Sequence, residues 1–195
     1  MKIYMYRHGM TPGNAKHQYI GVTDQDLAPE GIELIKKELA ELPGYPAAPC
    51  PRVVYVSPMK RCRQTAALLF PEARQVVIED FREINFGIFE EKSFMDLDGD
   101  SFFQRWVESD MEEPVPGGDI KRIYVERVVS AFRTLVSSLE GMTDEIFIVA
   151  HGGTVMSVME QLAMPPEAYF AWMCPNGHGW TADWNGEYLI NPEKI

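Results

Sequence analysis

The stretches Ile3-Tyr4-Met5-Tyr6-Arg7-His8-Gly9 and Ile146-Phe147-Ile148-Val149-Ala150-His151-Gly152-Gly153 decide how this chain is read. Each is an apolar run too short for a helix, and each ends in a histidine followed at once by glycine. Runs of this length read as strands. Two further strands have the same habit of delivering polar residues at their ends. Residues 52–56 lead into Ser57-Pro58 and then Arg61, and residues 75–78 lead to Glu83.

Helical spacing fills the intervals. Ile32, Ile35, Leu39 and Leu42 mark a helix over 30–42. A proline-rich connection follows over 43–51. Ser57 as N-cap, with Pro58 at the first helical position, predicts a helix over 59–70. A short helix is expected around 102–107. Asp119 is expected to cap a long helix reaching 139, with a stripe through Ile120, Ile123, Val128, Phe132, Leu135 and Leu139. Another helix is expected over 154–162, and Asn185-Gly186 between two strand-like runs predicts a hairpin. Strands alternating with helices imply a three-layer α/β/α sandwich with a mostly parallel sheet, residues 1–195 forming one domain.

Composition narrows the function classes. The 195 residues are 46% hydrophobic and 24% charged, with a net charge of −11. So acidic a chain is unsuited to nucleic acid or anionic membranes, whose phosphates need a basic face. It remains compatible with a small phosphate ester if its few cations are gathered in one place. Cys50, Cys62 and Cys174 are few, odd in number and far apart. They offer no disulfide framework, fit a reducing cytoplasm, and are expected to be buried or inert. No signal peptide and no membrane span is read from the sequence.

In an open α/β sheet, ligands bind beyond the carboxyl ends of the strands. If the four strands are parallel neighbours, Arg7, His8, Arg61, Glu83 and His151 empty into one crevice. Guanidinium forks match phosphate oxygens, and a neutral imidazole is a competent nucleophile near pH 7. A carboxylic acid at Glu83 can protonate a departing alkoxide. This set suits phosphoryl transfer without a metal or another cofactor. A two-histidine, one-carboxylate metal site is the rival reading, disfavoured because two guanidiniums repel a divalent cation.

Arg7-His8-Gly9-Met10-Thr11 with Asn14 resembles the Arg-His-Gly signature of the histidine phosphatase superfamily, phosphoglycerate mutase-like branch. The resemblance runs in order along the chain. It continues through the loop from Gly21 to Gly31, Ser57-Pro58 with Arg61 and Gln64-Thr65-Ala66, Arg82-Glu83-Ile84 with Phe86-Gly87, Pro116-Gly117-Gly118-Asp119, and Ala150-His151-Gly152-Gly153. It implies a phosphohistidine on His8. It also implies a phosphate held by Arg7, Arg61, His151, Asn14 and Gly152, and a proton donor at Glu83. The implied activity is hydrolysis of a small-molecule phosphate monoester, α-ribazole phosphatase being one family member of similar size. A cofactor-dependent phosphoglycerate mutase or a phospholigand sensor without catalysis are the alternatives. Mutases of the family look longer, with extra segments that keep water from the site, which favours hydrolysis here.

Met10, Asp26, Glu91 and Asp119 depart from the family pattern, where glutamate, proline, glycine and glutamate are common. His17 is read as a loop residue, and His178 as a loop residue near the rim. Phe94, Met95, Phe102, Phe103 and Trp106 are read as packing a helix on the core, with a pocket wall as the second reading. Oligomeric state stays open, a homodimer being among the options.

Overall fold

The computed structural model describes residues 1–46 and 50–195, so part of the proline-rich connection lies outside the described residues. Seven strands form one sheet: β1 (Lys2–Arg7), β2 (Val53–Val56), β3 (Arg74–Val77), β4 (Glu145–Ala150), β5 (Ala163–Met164), β6 (Gly179–Trp184) and β7 (Leu189–Lys194). Their order is β3-β2-β4-β1-β6-β7-β5. The first four of that order are mutually parallel, and β6 runs antiparallel to both β1 and β7. The expected mostly parallel sheet is therefore present, with an antiparallel hairpin at one side.

Helices α1 (Pro12–Ala15), α2 (Pro29–Glu41), α3 (Lys60–Leu69), α4 (Ser101–Glu108), α5 (Lys121–Leu139) and α6 (Gly152–Leu162) complete the fold. One apolar cluster joins α5 and α6 to the sheet through Val128, Phe132, Val155, Met159, Ile3 and Ile148. A second joins α2 and α3 to its other face through Ile35, Cys62, Ala66, Tyr6 and Val149. These are the three layers. A smaller cluster of Phe89, Leu97, Phe103, Trp106 and Val115 packs α4 on its surrounding loops.

Several local expectations are corrected. Helix α3 begins at Lys60 with Met59 as N-cap; Ser57 Oγ accepts from the Met59 N–H at 3.4 Å and shares a shorter hydrogen bond of 2.7 Å with His151 Nε2. Asp119 does not cap α5, whose N-cap is Ile120; its carboxylate accepts from the Asn85 N–H at 3.0 Å and faces Arg127. The buried stripe of α5 runs through Tyr124, Val125, Val128, Phe132, Leu135 and Val136, and Ile123 is exposed. The hairpin loop spans four residues, with Trp184 paired to Leu189 and the Asn185 side chain accepting from the Glu187 and Tyr188 N–H groups. Cys62 and Cys174 are buried as expected, whereas Cys50 is exposed.

Among the described residues, no helix is long and apolar enough to cross a membrane.

Candidate active site

The register of the central strands assembles the site. Arg7 pairs with Ala150, so the residues that follow, His8 and His151, leave adjacent strands side by side. Their ring centroids lie 5.3 Å apart with the planes at 69°. The His8 N–H donates to Ala150 O at 2.9 Å, fastening the start of the first loop to the fourth strand.

Each imidazole is oriented by a neighbour. His8 Nδ1 lies 2.7 Å from Gly9 O. A carbonyl only accepts, so Nδ1 carries the proton and Nε2 the free lone pair. His151 Nε2 shares a 2.7 Å hydrogen bond with Ser57 Oγ, and Cys62 Sγ packs 3.6 Å from the same nitrogen. Burial, then the charges of Arg61 and Arg7, hold the His8 pKa well below the usual imidazole value. His151 is lowered likewise by burial first, then by Arg61 and His8. Both rings are therefore neutral near pH 7.

The two guanidiniums are fixed by backbone carbonyls. Arg61 is wholly buried, donating through its terminal nitrogens to Gly21 O at 2.7 Å and Thr23 O at 3.0 Å. Arg7 donates to Cys174 O at 2.8 Å. In both side chains the buried Nε–H finds no acceptor within the protein. A buried donor left unpaired costs about 1–3 kcal/mol, so both groups favour an anion that supplies the acceptor.

Glu83 enters from the loop after β3. Its Oε1 accepts from the Tyr124 hydroxyl at 2.5 Å and the Ile84 N–H at 3.1 Å, and its Oε2 accepts from the Gly153 N–H at 3.3 Å, in the first turn of α6. Glycine is required there: a Cβ on Gly153 would stand 2.4 Å from Glu83 Oε1 and 2.8 Å from the Tyr124 hydroxyl.

Arg7, His8, Asn14, Glu83 and Gly152 all line one cavity of about 400 Å³. His151 and Arg61 are fully buried and do not line it; the His151 ring packs against His8, which does. Asn14 Oδ1 is taken by the Thr11 N–H and by the Asn176 side chain, which leaves its amide nitrogen as the donor available to a ligand. A model of the histidine phosphatase superfamily (branch 1) matches residues 3–188. The chain belongs to that superfamily.

Relatives of this superfamily member include phosphatases and phosphoglycerate mutases. The chain is 29% identical to the adenosylcobalamin/α-ribazole phosphatase of Salmonella typhimurium, over 86% of its own length and 82% of the relative's. It is 24% identical to a 2,3-bisphosphoglycerate-dependent phosphoglycerate mutase of Parvibaculum lavamentivorans, over 82% and 79% of the two chains. The fold matches the crystal structure of the α-ribazole phosphatase from Shigella flexneri with a TM-score of 0.78, at 23% identity, covering 96% and 93% of the chains.

The superfamily's positions here also explain one departure. Glu91, which stands where glycine is common, has a left-handed backbone with φ 62°. The neighbouring Glu90 carboxylate accepts from the N–H groups of Gly21, Val22, Thr23 and Phe86, fixing the loop whose carbonyls hold Arg61. Of the residues weighed as a pocket wall, Trp106 lines the cavity, while Phe94, Phe102 and Phe103 do not. His178 is away from it, 3.3 Å from Glu38. Sequence reasoning missed Tyr124, Tyr19, Met111 and Phe170, none of which lies beside a glycine-histidine strand end that would have drawn attention to it, and it gave Ser57 the role of a helix cap and not of a partner to His151.

Proposed function

We propose that this chain hydrolyses a small-molecule phosphate monoester through a phosphohistidine on His8. The observation that carries the reading is the His8 Nδ1–Gly9 O hydrogen bond, which leaves the Nε2 lone pair as nucleophile in a cavity shared with Arg7, Asn14 and Glu83. In the first step, with Glu83 in its carboxylic acid form, Nε2 attacks phosphorus, the ester P–O bond breaks, and Glu83 delivers its proton to the departing alkoxide, becoming the carboxylate. In the second step water attacks the same phosphorus while Glu83 takes its proton. The P–N bond then breaks and its electron pair returns to Nε2. Arg7 and the N-terminus of α6 stabilise charge on the equatorial oxygens directly, and Arg61 and His151, buried behind His8, would add to the positive field there and meet the phosphate once it is seated against His8.

Hydrolysis is favoured over mutase chemistry because the cavity mouth carries exposed residues, Val107, Phe170 and Met173, so water has access to a phosphohistidine. Glu83→Gln provides the test. Alkyl phosphates should slow by about 100-fold or more, whereas 4-nitrophenyl phosphate, whose leaving group needs no proton, should slow by less than about 10-fold. Equal slowing of both ester types in steady-state assays removes Glu83 as the acid.

A further inference from the structure

Beyond the phosphate-facing residues, the cavity is walled by apolar side chains and carries very little positive charge. Tyr19, Phe86 and Trp106 form an aromatic group with centroid separations of 5.2 to 6.2 Å. Met111, Phe170 and Met173 also line the cavity. Among the described residues that line it, Arg7 is the one cation, and it is already part of the phosphate end. The acid Asp110 lines it too. Lys121 borders this wall without lining the cavity and is already paired there: its Nζ lies 2.6 Å from Oδ2 of the lining residue Asp110 and 4.2 Å from the ring centroid of Tyr169, another lining residue.

A second anionic group on the substrate, such as a carboxylate or another phosphate, would therefore meet carboxylates and apolar surface with no free cation to receive it. An aromatic or branched apolar group would instead gain burial on this wall. The wall is not wholly apolar: Gln18 and Tyr19 line it too, and the indole N–H of the lining residue Trp106 is buried with no acceptor among the described residues.

We infer that the substrate class is a phosphate monoester of an uncharged, largely apolar alcohol of aromatic size, and that Trp106, Met111 and Phe170 select it. This rests on the hydrolase reading above and narrows it. Because aryl esters react faster for electronic reasons alone, the test uses alkyl esters with similarly basic leaving groups: 2-phenylethyl phosphate, glycerol 3-phosphate and 3-phosphoglycerate.

For the full chain, kcat/KM on 2-phenylethyl phosphate should exceed that on glycerol 3-phosphate by about 30-fold, and that on 3-phosphoglycerate by about 100-fold. Phe170 is exposed at the mouth, so Phe170→Lys can be made without disturbing the core. It should lower the preference for 2-phenylethyl phosphate over 3-phosphoglycerate by about 10-fold or more. Equal or faster turnover of 3-phosphoglycerate by the wild type overturns the inference and leaves the phosphohistidine intact, as does a ratio unmoved by Phe170→Lys. Absence of turnover on every ester overturns the hydrolase reading and this inference together.

Discussion

The Tyr124 hydroxyl sits 2.5 Å from Glu83 Oε1, and burial followed by the adjacent Glu83 charge holds its pKa well above the usual phenol value. It therefore remains a donor, and with the Ile84 and Gly153 N–H groups it fixes where the carboxyl points. Tyr124 acts through Glu83 and is a positioning residue. Tyr124→Phe should lower kcat on alkyl phosphates about 10-fold, the scale of one lost hydrogen bond to a charged group, with KM nearly unchanged. Aryl phosphates should be little affected. A variant that raises KM for both ester types alike would assign Tyr124 a structural role only. The contrast with His8 shows what a sequence exposes at this scale. Histidine between an apolar run and glycine is conspicuous, so Arg7, His8 and His151 were legible. Tyr124 occupies an apolar position in a long helix, where tyrosine is ordinary, and its contact with Glu83 spans 41 positions. Ser57 was noticed for the wrong reason, because serine before proline is a common helix start and its 2.7 Å partner His151 is 94 residues away.

Elements were legible in kind and less so in phase. The four parallel strands and helices α2, α3, α5 and α6 fall close to where apolar periodicity puts them, since burial on a sheet enforces that periodicity. The errors lie where a polar side chain had two possible partners. Ser57 and Asp119 both have the chemistry of an N-cap. Each also serves a long-range contact, with His151 and with Asn85, and the helices begin at Lys60 and Lys121, with Met59 and Ile120 as N-caps. In α5 the predicted stripe included Ile123, whereas burial follows Tyr124, Val125, Val128, Phe132, Leu135 and Val136. Ile123 is one position out of phase, and a helix with valines on several faces does not reveal from periodicity alone which face meets the sheet.

Over the whole molecule, the strand order gathers the polar strand ends at one edge, and folding therefore buries two imidazoles beside two guanidiniums. This links stability to pH. The pKa values of His8 and His151 are depressed in the folded protein, by burial first and by Arg61 next, whereas an unfolded histidine binds a proton near pH 6.5. The unfolded chain thus holds more protons as pH falls. The stability these groups contribute is complete above about pH 6.5 and is lost as pH drops from there towards the folded values. The loss is therefore expected between pH 6.5 and 5.5, where the unfolded histidines take up protons that the folded ones resist. Urea unfolding midpoints at the two pH values should show it, and a His8→Asn, His151→Asn double variant should flatten the dependence; an unchanged slope in that variant would place the titration elsewhere. The most direct measurement on the chemistry itself is rapid-quench trapping of the protein with a ³²P-labelled monoester, followed by mapping of the labelled peptide. A base-stable, acid-labile phosphoryl group on His8 Nε2, absent from His8→Ala, is the result predicted. Turnover under burst conditions with no such adduct, or with the label on another residue or on Nδ1, would contradict it.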